Sequence, residues 1–192
     1  MLTRILILQG HPDPAPERFC RALAAAYADG ATAAGHEIRR IDLATLGFDL
    51  LRTKKDHDHG AISPVLAEAQ QAIAWADHIV IVFPLWLGGM PALLKGFLEQ
   101  VLRPGFAYRV EGGWQRLLKG RSARVVVTMG MPALAYRFWF GGHGVKLLER
   151  SILGFVGIKP VATTLIGDVE TLADDKRRKW LERLHDLGRR AR

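Results

Sequence analysis

The chain has 192 residues and a mass of 21.3 kDa, the size of one domain. Its 49% apolar and 24% charged residues give material for a full core and exclude a disordered chain. The longest apolar runs, such as Ile79-Val80-Ile81-Val82-Phe83, fall far short of the ~20 residues of a membrane span, and the single Cys20 excludes an internal disulfide or a cysteine-based zinc cluster.

Met1-Leu2-Thr3-Arg4 leads straight into a strand with no A-x-A cleavage site, so no signal peptide and a cytoplasmic address are expected. Short Ile/Val runs read as buried parallel strands at Ile5–Leu8, Ile79–Phe83, Val125–Thr128 and Val161–Ile166. The more polar Glu37–Leu43 reads as an edge strand. Between them lie helical patterns. Phe19, Leu23 and Tyr27 recur every four residues up to Gly30 or Gly35, and Ser63-Pro64 opens a second helix carrying Leu66, Ile73 and Trp75. A third holds Leu93, Leu94, Phe97, Leu98 and Val101 and is stopped by Pro104-Gly105; Gly96 inside it suggests close packing or a dimer contact. Leu147, Leu148 and Ile152 mark a fourth, and Trp180, Leu181, Leu184 and Leu187 the last. Five strands alternating with five helices predict one α/β domain over residues 1–192, with a doubly wound parallel sheet and helices on both faces. The size and number of units suit the flavodoxin-like strand order 2-1-3-4-5. Two excursions, 47–62 and 104–122, are long enough to carry function.

The net charge of +8 is concentrated: residues 174–192 hold eight Lys/Arg against four acids, which is +4, half the total. On one terminal helix this reads as a solvated face, with steering of an anionic cofactor or contact with an anionic partner as the sharper alternative. No nucleic-acid motif accompanies it.

In an open parallel sheet, ligands sit beyond the carboxyl ends of the strands. After the first strand comes Gln9-Gly10-His11-Pro12-Asp13-Pro14-Ala15-Pro16-Glu17-Arg18-Phe19, a turn opening a helix and so an anion site, with His11 and Arg18 as added donors. It is neither a G-x-G-x-x-G nor a G-x-x-x-x-G-K-[ST] loop. After the third strand, Trp86 beside Gly88-Gly89 offers a flat apolar wall with backbone amides in reach, suited to an aromatic cofactor. After the fourth come Thr128-Met129-Gly130-Met131-Pro132, then Tyr136 and Gly141-Gly142-His143-Gly144. Tyr136 and His143 are the neutral proton donors gathered there, able to offset negative charge developing on a bound ring. No serine lies in a G-x-S-x-G elbow, Asp56-His57-Asp58-His59 reads as a solvated loop rather than a metal site, and Cys20 reads as a buried small thiol.

The run Phe83–Tyr108, F-P-L-W-L-G-G-M-P-A-L-L-K-G-F-L-E-Q-V-L-R-P-G-F-A-Y, resembles the signature of the NAD(P)H:quinone oxidoreductases, the flavodoxin-like group of DT-diaphorases and their bacterial relatives. Gly10-His11-Pro12, Gly142-His143-Gly144 and Ile152-Leu153-Gly154-Phe155-Val156-Gly157 add to it. The resemblance implies a homodimeric flavoprotein with its flavin at the subunit interface, FAD in preference to FMN. It would pass a hydride from the co-substrate NADH or NADPH to a quinone or similar acceptor in ping-pong order. By the same resemblance His11, Arg18 and Phe19 lie by the flavin phosphates, and Pro84, Leu85, Trp86 and Leu87 along the isoalloxazine ring. Thr128, Met129 and Gly130 face the ring edge, and Tyr136 and His143 stabilise the reduced flavin's charge. No metal is implied. An alternative, also implied by relatives, is an ancillary subunit of a glutathione-gated potassium efflux system docking through the basic terminal helix. Two departures from the family pattern stand out: Arg18 where a small hydroxyl residue is usual, and Met131-Pro132 after a single Gly130.

Overall fold

The computed structural model describes residues 2–192. Five parallel strands form the central sheet: β1 (Arg4–Gln9), β2 (Glu37–Asp42), β3 (His78–Pro84), β6 (Ser122–Thr128) and β7 (Val161–Ile166). Their order is β2-β1-β3-β6-β7. The numbering jumps because β4 (Tyr108–Arg109) and β5 (Gln115–Arg116) form a separate antiparallel hairpin within the second long excursion. With that hairpin set aside, the order is the expected 2-1-3-4-5. All seven residues of β3 are buried, as an Ile/Val run flanked by strands and covered on both faces requires.

Alternate strand residues feed two cores. Leu6, Leu8, Ile79, Ile81, Phe83, Val125 and Val127 pack on one side with α3 (Pro64–Trp75) and α4 (Ala92–Val101). Ile5, Ile7, Val80, Val82 and Val126 pack on the other with α1 (Phe19–Ala33) and α8 (Asp174–Arg189). Helices α1 and α8 touch backbone to backbone. A Cβ on Gly30 would stand 1.9 Å from the His185 carbonyl oxygen, and one on Gly188 2.0 Å from that of Tyr27, so only glycine permits this approach. Gly96 likewise faces a neighbour, since a Cβ there would meet Leu50 Cδ2 at 2.3 Å. It therefore seats the first excursion on α4, the close-packing alternative.

Two readings are corrected. The Asp56-His57-Asp58-His59 loop is helical, as α2 (Lys54–His59). Thr53 Oγ1 caps it by accepting the Asp56 N–H at 3.0 Å, and Lys54 pairs with Asp58 one turn on. The single helix expected around Leu147–Ile152 is a chain of short pieces: α5 (Ala133–Phe138), α6 (His143–Lys146), a π-helical turn (Leu147–Leu153) and α7 (Gly154–Val156). Among the described residues no helix is long and apolar enough to cross a membrane.

Candidate functional site

Strands β1, β3 and β6 all end on one side, and their following loops enclose a cleft of about 560 Å³, within the range of small-molecule sites. The β1–α1 loop contributes His11, Asp13, Glu17 and Arg18, and the start of α1 Phe19 and Cys20. The ends of β3 and β6 contribute Pro84, Leu85 and Trp86, and Thr128, Met129 and Gly130. Val169, Glu170 and Arg177 close it from the β7–α8 side.

The β1–α1 wall is organised for a negative charge. Arg18 is the N-cap of α1 in extended conformation, and no side chain caps the helix. Of the first-turn amides, that of Arg21 donates to the Arg18 carbonyl at 2.8 Å; those of Phe19 and Cys20, at the positive end of a 15-residue helix, are left to a ligand. The His11 ring packs edge-on to Trp86, with centroids 6.0 Å apart. Its Nδ1 accepts the Asp13 backbone N–H at 3.0 Å, so in the neutral ring the proton sits on Nε2. Burial is the main reason its pKa falls below the ordinary 6.5. His11 at neutral pH is thus a neutral Nε2–H donor. Arg177 stacks over Phe19 at 5.1 Å and is tethered through the Val169 and Leu172 carbonyls at 2.5 and 3.0 Å.

The opposite wall is a tight turn. Trp86 N–H donates to the Gly89 oxygen at 2.9 Å and Gly89 N–H to the Trp86 oxygen at 3.0 Å, with Leu87 and Gly88 at φ 46° and 79°. Two successive positive φ values define a type I′ turn, a conformation that strains Leu87. Trp86 is half-exposed and available as a flat wall. Leu87 projects fully into solvent and lines the cleft nowhere. The amides of Leu85 and Met129 are spent on the Thr128 and Ile166 carbonyls. That of Gly130, in the cleft wall, has no protein partner among the described residues and remains as a donor.

Tyr136 and His143 stand behind this turn. Tyr136 is 1% exposed; its hydroxyl donates to the Gly88 carbonyl and accepts the Val145 N–H, both at 3.2 Å. It thereby serves α6, which has no side-chain cap of its own, and ties that helix to the turn. Contact is tight at the next residue too: a Cβ on Gly144 would lie 2.1 Å from the Gly88 oxygen. His143 is exposed at the first position of α6 with Nε2 folded over Gly141.

Sequence reasoning missed Asp13, Glu17, Cys20, Val169, Glu170 and Arg177. The last three follow β7, whose carboxyl end belongs to the same rim under the rule already applied to its neighbours. Cys20 is buried with Sγ 3.1 Å from Thr128 Oγ1, and burial pushes its thiol pKa up to about 11, so it is wall rather than nucleophile.

Fold and cleft define the class: a doubly wound α/β protein presenting a helix N-terminus and a flat aromatic wall at the switch point of its sheet, complementary to a planar ligand bearing an anion. The chain belongs to the flavodoxin-like family, whose model, described as a flavodoxin-like fold, matches residues 3–187. It is 31% identical to a Haemophilus influenzae NAD(P)H oxidoreductase over 91% of this chain and 88% of that protein. It is 25% identical to the ribosyldihydronicotinamide dehydrogenase [quinone] of Pongo abelii over 96% and 91%. An FMN-dependent NADH:quinone oxidoreductase of Hahella chejuensis is 34% identical over 65% of this chain and 60% of its own length. Among solved structures, a Streptococcus mutans UA159 protein superposes with TM-score 0.83 at 29% identity, covering 97% of this chain and 99% of that one.

Proposed function

We propose that this protein is an NAD(P)H-dependent flavoprotein oxidoreductase that delivers two electrons to a quinone-like acceptor in ping-pong order, working as a homodimer. The observation that carries the reading is the cleft: nine of the ten cofactor residues expected from the resemblance, all but Leu87, line it together. The relatives' names, an NAD(P)H oxidoreductase and two quinone reductases, support the same chemistry. The Hahella relative favours FMN over the FAD expected from the resemblance; both flavins carry the phosphate that the α1 wall suits.

When bound, a flavin supplies a ring that takes a hydride from reduced nicotinamide and returns two electrons to an acceptor. The chain's part is position and electrostatics. Trp86 gives the ring a flat wall, and the unpartnered amide of Gly130 is a donor for its polar edge. The His11 Nε2–H, Arg18 and the α1 amides hold the phosphate. His143, exposed beside the turn, is the donor we assign to negative charge at the ring edge. Tyr136 has its one proton on the Gly88 carbonyl, and we assign it the positioning of that turn.

A second copy of the chain is the occupant we assign to an apolar ridge beside the cleft. Leu134, Phe138, Trp139 and Phe140, within seven residues of chain on and just after α5, are all exposed, Trp139 to 87%, and so is Leu87 on the turn that Tyr136 contacts; exposed aromatic surface of this kind marks an interface. The test is to incubate purified protein with FMN or FAD, remove free flavin, and follow NADH and NADPH oxidation with a soluble quinone. Retained flavin, parallel double-reciprocal lines and loss of flavin in W86A are expected. Absence of retained flavin under both conditions overturns the proposal.

A further inference from the structure

We infer that Asp13 is a positioning residue for the phosphate end of the cleft, aiming both Arg18 and His11 at a bound phosphate; this rests on the flavin reading above. Asp13 lies between Pro12 and Pro14, with Pro16 beyond, so its backbone is confined to extended conformations before it makes any contact. It then uses nearly every polar atom it has. Its N–H donates to His11 Nδ1 at 3.0 Å, which leaves the other ring nitrogen protonated. Its Oδ1 accepts the Ala15 N–H at 2.9 Å. Its Oδ2 accepts from Arg18 Nε at 2.7 Å and pairs with the terminal nitrogen Nη2 at 2.5 Å. Its carbonyl oxygen lies 3.4 Å from Arg21 Nε and Nη2, and Arg21 is itself held by Asp42 at 2.6 and 3.1 Å.

Arg18 is therefore gripped along one edge of its guanidinium. The fork has five N–H groups, and the edge that includes Nη1 stays free in the cleft wall. A guanidinium braced by a carboxylate on one side presents two parallel donors on the other, the geometry that phosphate oxygens accept. This explains how an arginine serves at a position where the family uses a small hydroxyl: the carboxylate that restrains it is five residues earlier in the same loop. It also explains why an acidic residue lines a cleft suited to an anion. The Asp13 charge is spent on Arg18 and on a backbone amide, and the donors it sets up are formed before the ligand arrives, which saves ordering entropy on binding.

The experiment measures binding of FMN and of riboflavin, which lacks the phosphate, by quenching of flavin fluorescence. The phosphate increment is the ratio of the two dissociation constants. In D13N we expect FMN binding to weaken about tenfold, the size of one charge-assisted hydrogen bond, with riboflavin binding unchanged. R18A should lose the same increment, and the D13N/R18A double variant should lose little more than R18A alone. R18K, which keeps the charge but lacks the fork and leaves Asp13 in place, should lose it too. The inference is overturned if D13N binds FMN as tightly as or more tightly than the parent, because the carboxylate would then compete with phosphate. It is also overturned if D13N weakens FMN and riboflavin equally, a merely structural effect, or if R18K keeps the full increment. A parent protein that binds neither FMN nor riboflavin overturns the flavin reading itself, and this inference with it.

Discussion

Replacing Tyr136 with phenylalanine separates two roles that a phenol beside a cofactor cleft can have. The ring of Tyr136 is 1% exposed and its packing is retained in Y136F; only the hydroxyl is lost. With it go the acceptor for the buried Val145 N–H and the donor to the Gly88 carbonyl. The Gly88 carbonyl lies against Gly144, and the cost is reckoned at the amide alone. Val145 is buried, and its N–H belongs to the first turn of a helix that no other side chain caps. Leaving one buried amide unpaired costs about 1–3 kcal/mol. At 3.2 Å the lost bond is a long one, so the lower part of that range, about 1–2 kcal/mol, is expected. For a chain of this length that is a fall in Tm of about 2–8 °C, read by thermal denaturation without flavin or nicotinamide. Because the same hydroxyl holds α6 against the Trp86–Gly89 turn, flavin affinity should fall as well. If Y136F melts within a degree of the parent while turnover collapses, the positioning account is wrong and the hydroxyl acts directly on the bound ring.

Other expectations follow from single features. Gly188→Ala forces a Cβ to 2.0 Å from the Tyr27 carbonyl, so α8 must move off α1; we expect a loss of about 3 kcal/mol, seen as a lower urea midpoint, and an unchanged midpoint refutes the packing argument. Leu87→Gly relieves a residue held at φ 46° and should stabilise the isolated chain by about 1 kcal/mol while weakening self-association in sedimentation. His78 stays neutral in the fold because burial lowers its pKa from 6.5 to about 4. The unfolded chain therefore takes up a proton that the native one refuses between those values, so stability falls as pH drops from about 6.5 to about 4, by up to about 3 kcal/mol. H78Q should flatten that part of the profile, and a parent profile that is already flat contradicts it.

The sheet was legible because its strands other than β2 are Ile/Val-rich runs too short for a helix. The edge strand β2 was legible from its more polar composition, and α3 from Ser63-Pro64. What stayed hidden has local causes. Helix α2 owes its existence to the Thr53 cap and an exposed ion pair, with no buried residue to print a periodicity. The π-helical turn at 147–153 breaks the 3.6-residue repeat that helix reading relies on. In the cleft, residues adjacent in sequence to the strand ends were identifiable from the topology rule, whereas Arg177 reaches it from within α8, three residues past that helix's start. The tethering of Arg18 by Asp13 and the burial of the Tyr136 hydroxyl are facts of three-dimensional contact that no spacing encodes. Leu87 shows the converse: its place in the signature run put it on the ring, but the turn geometry points it outward.

A flavin held in this cleft should be reduced by NAD(P)H and reoxidised by a quinone. The most direct measurement is the visible absorbance of the flavin-loaded protein, followed without oxygen as NADPH or NADH and then a soluble quinone are added. The flavin bands should be lost on adding one equivalent of reduced nicotinamide and return on adding one equivalent of quinone. Flavin bands that persist with both nicotinamides would contradict it.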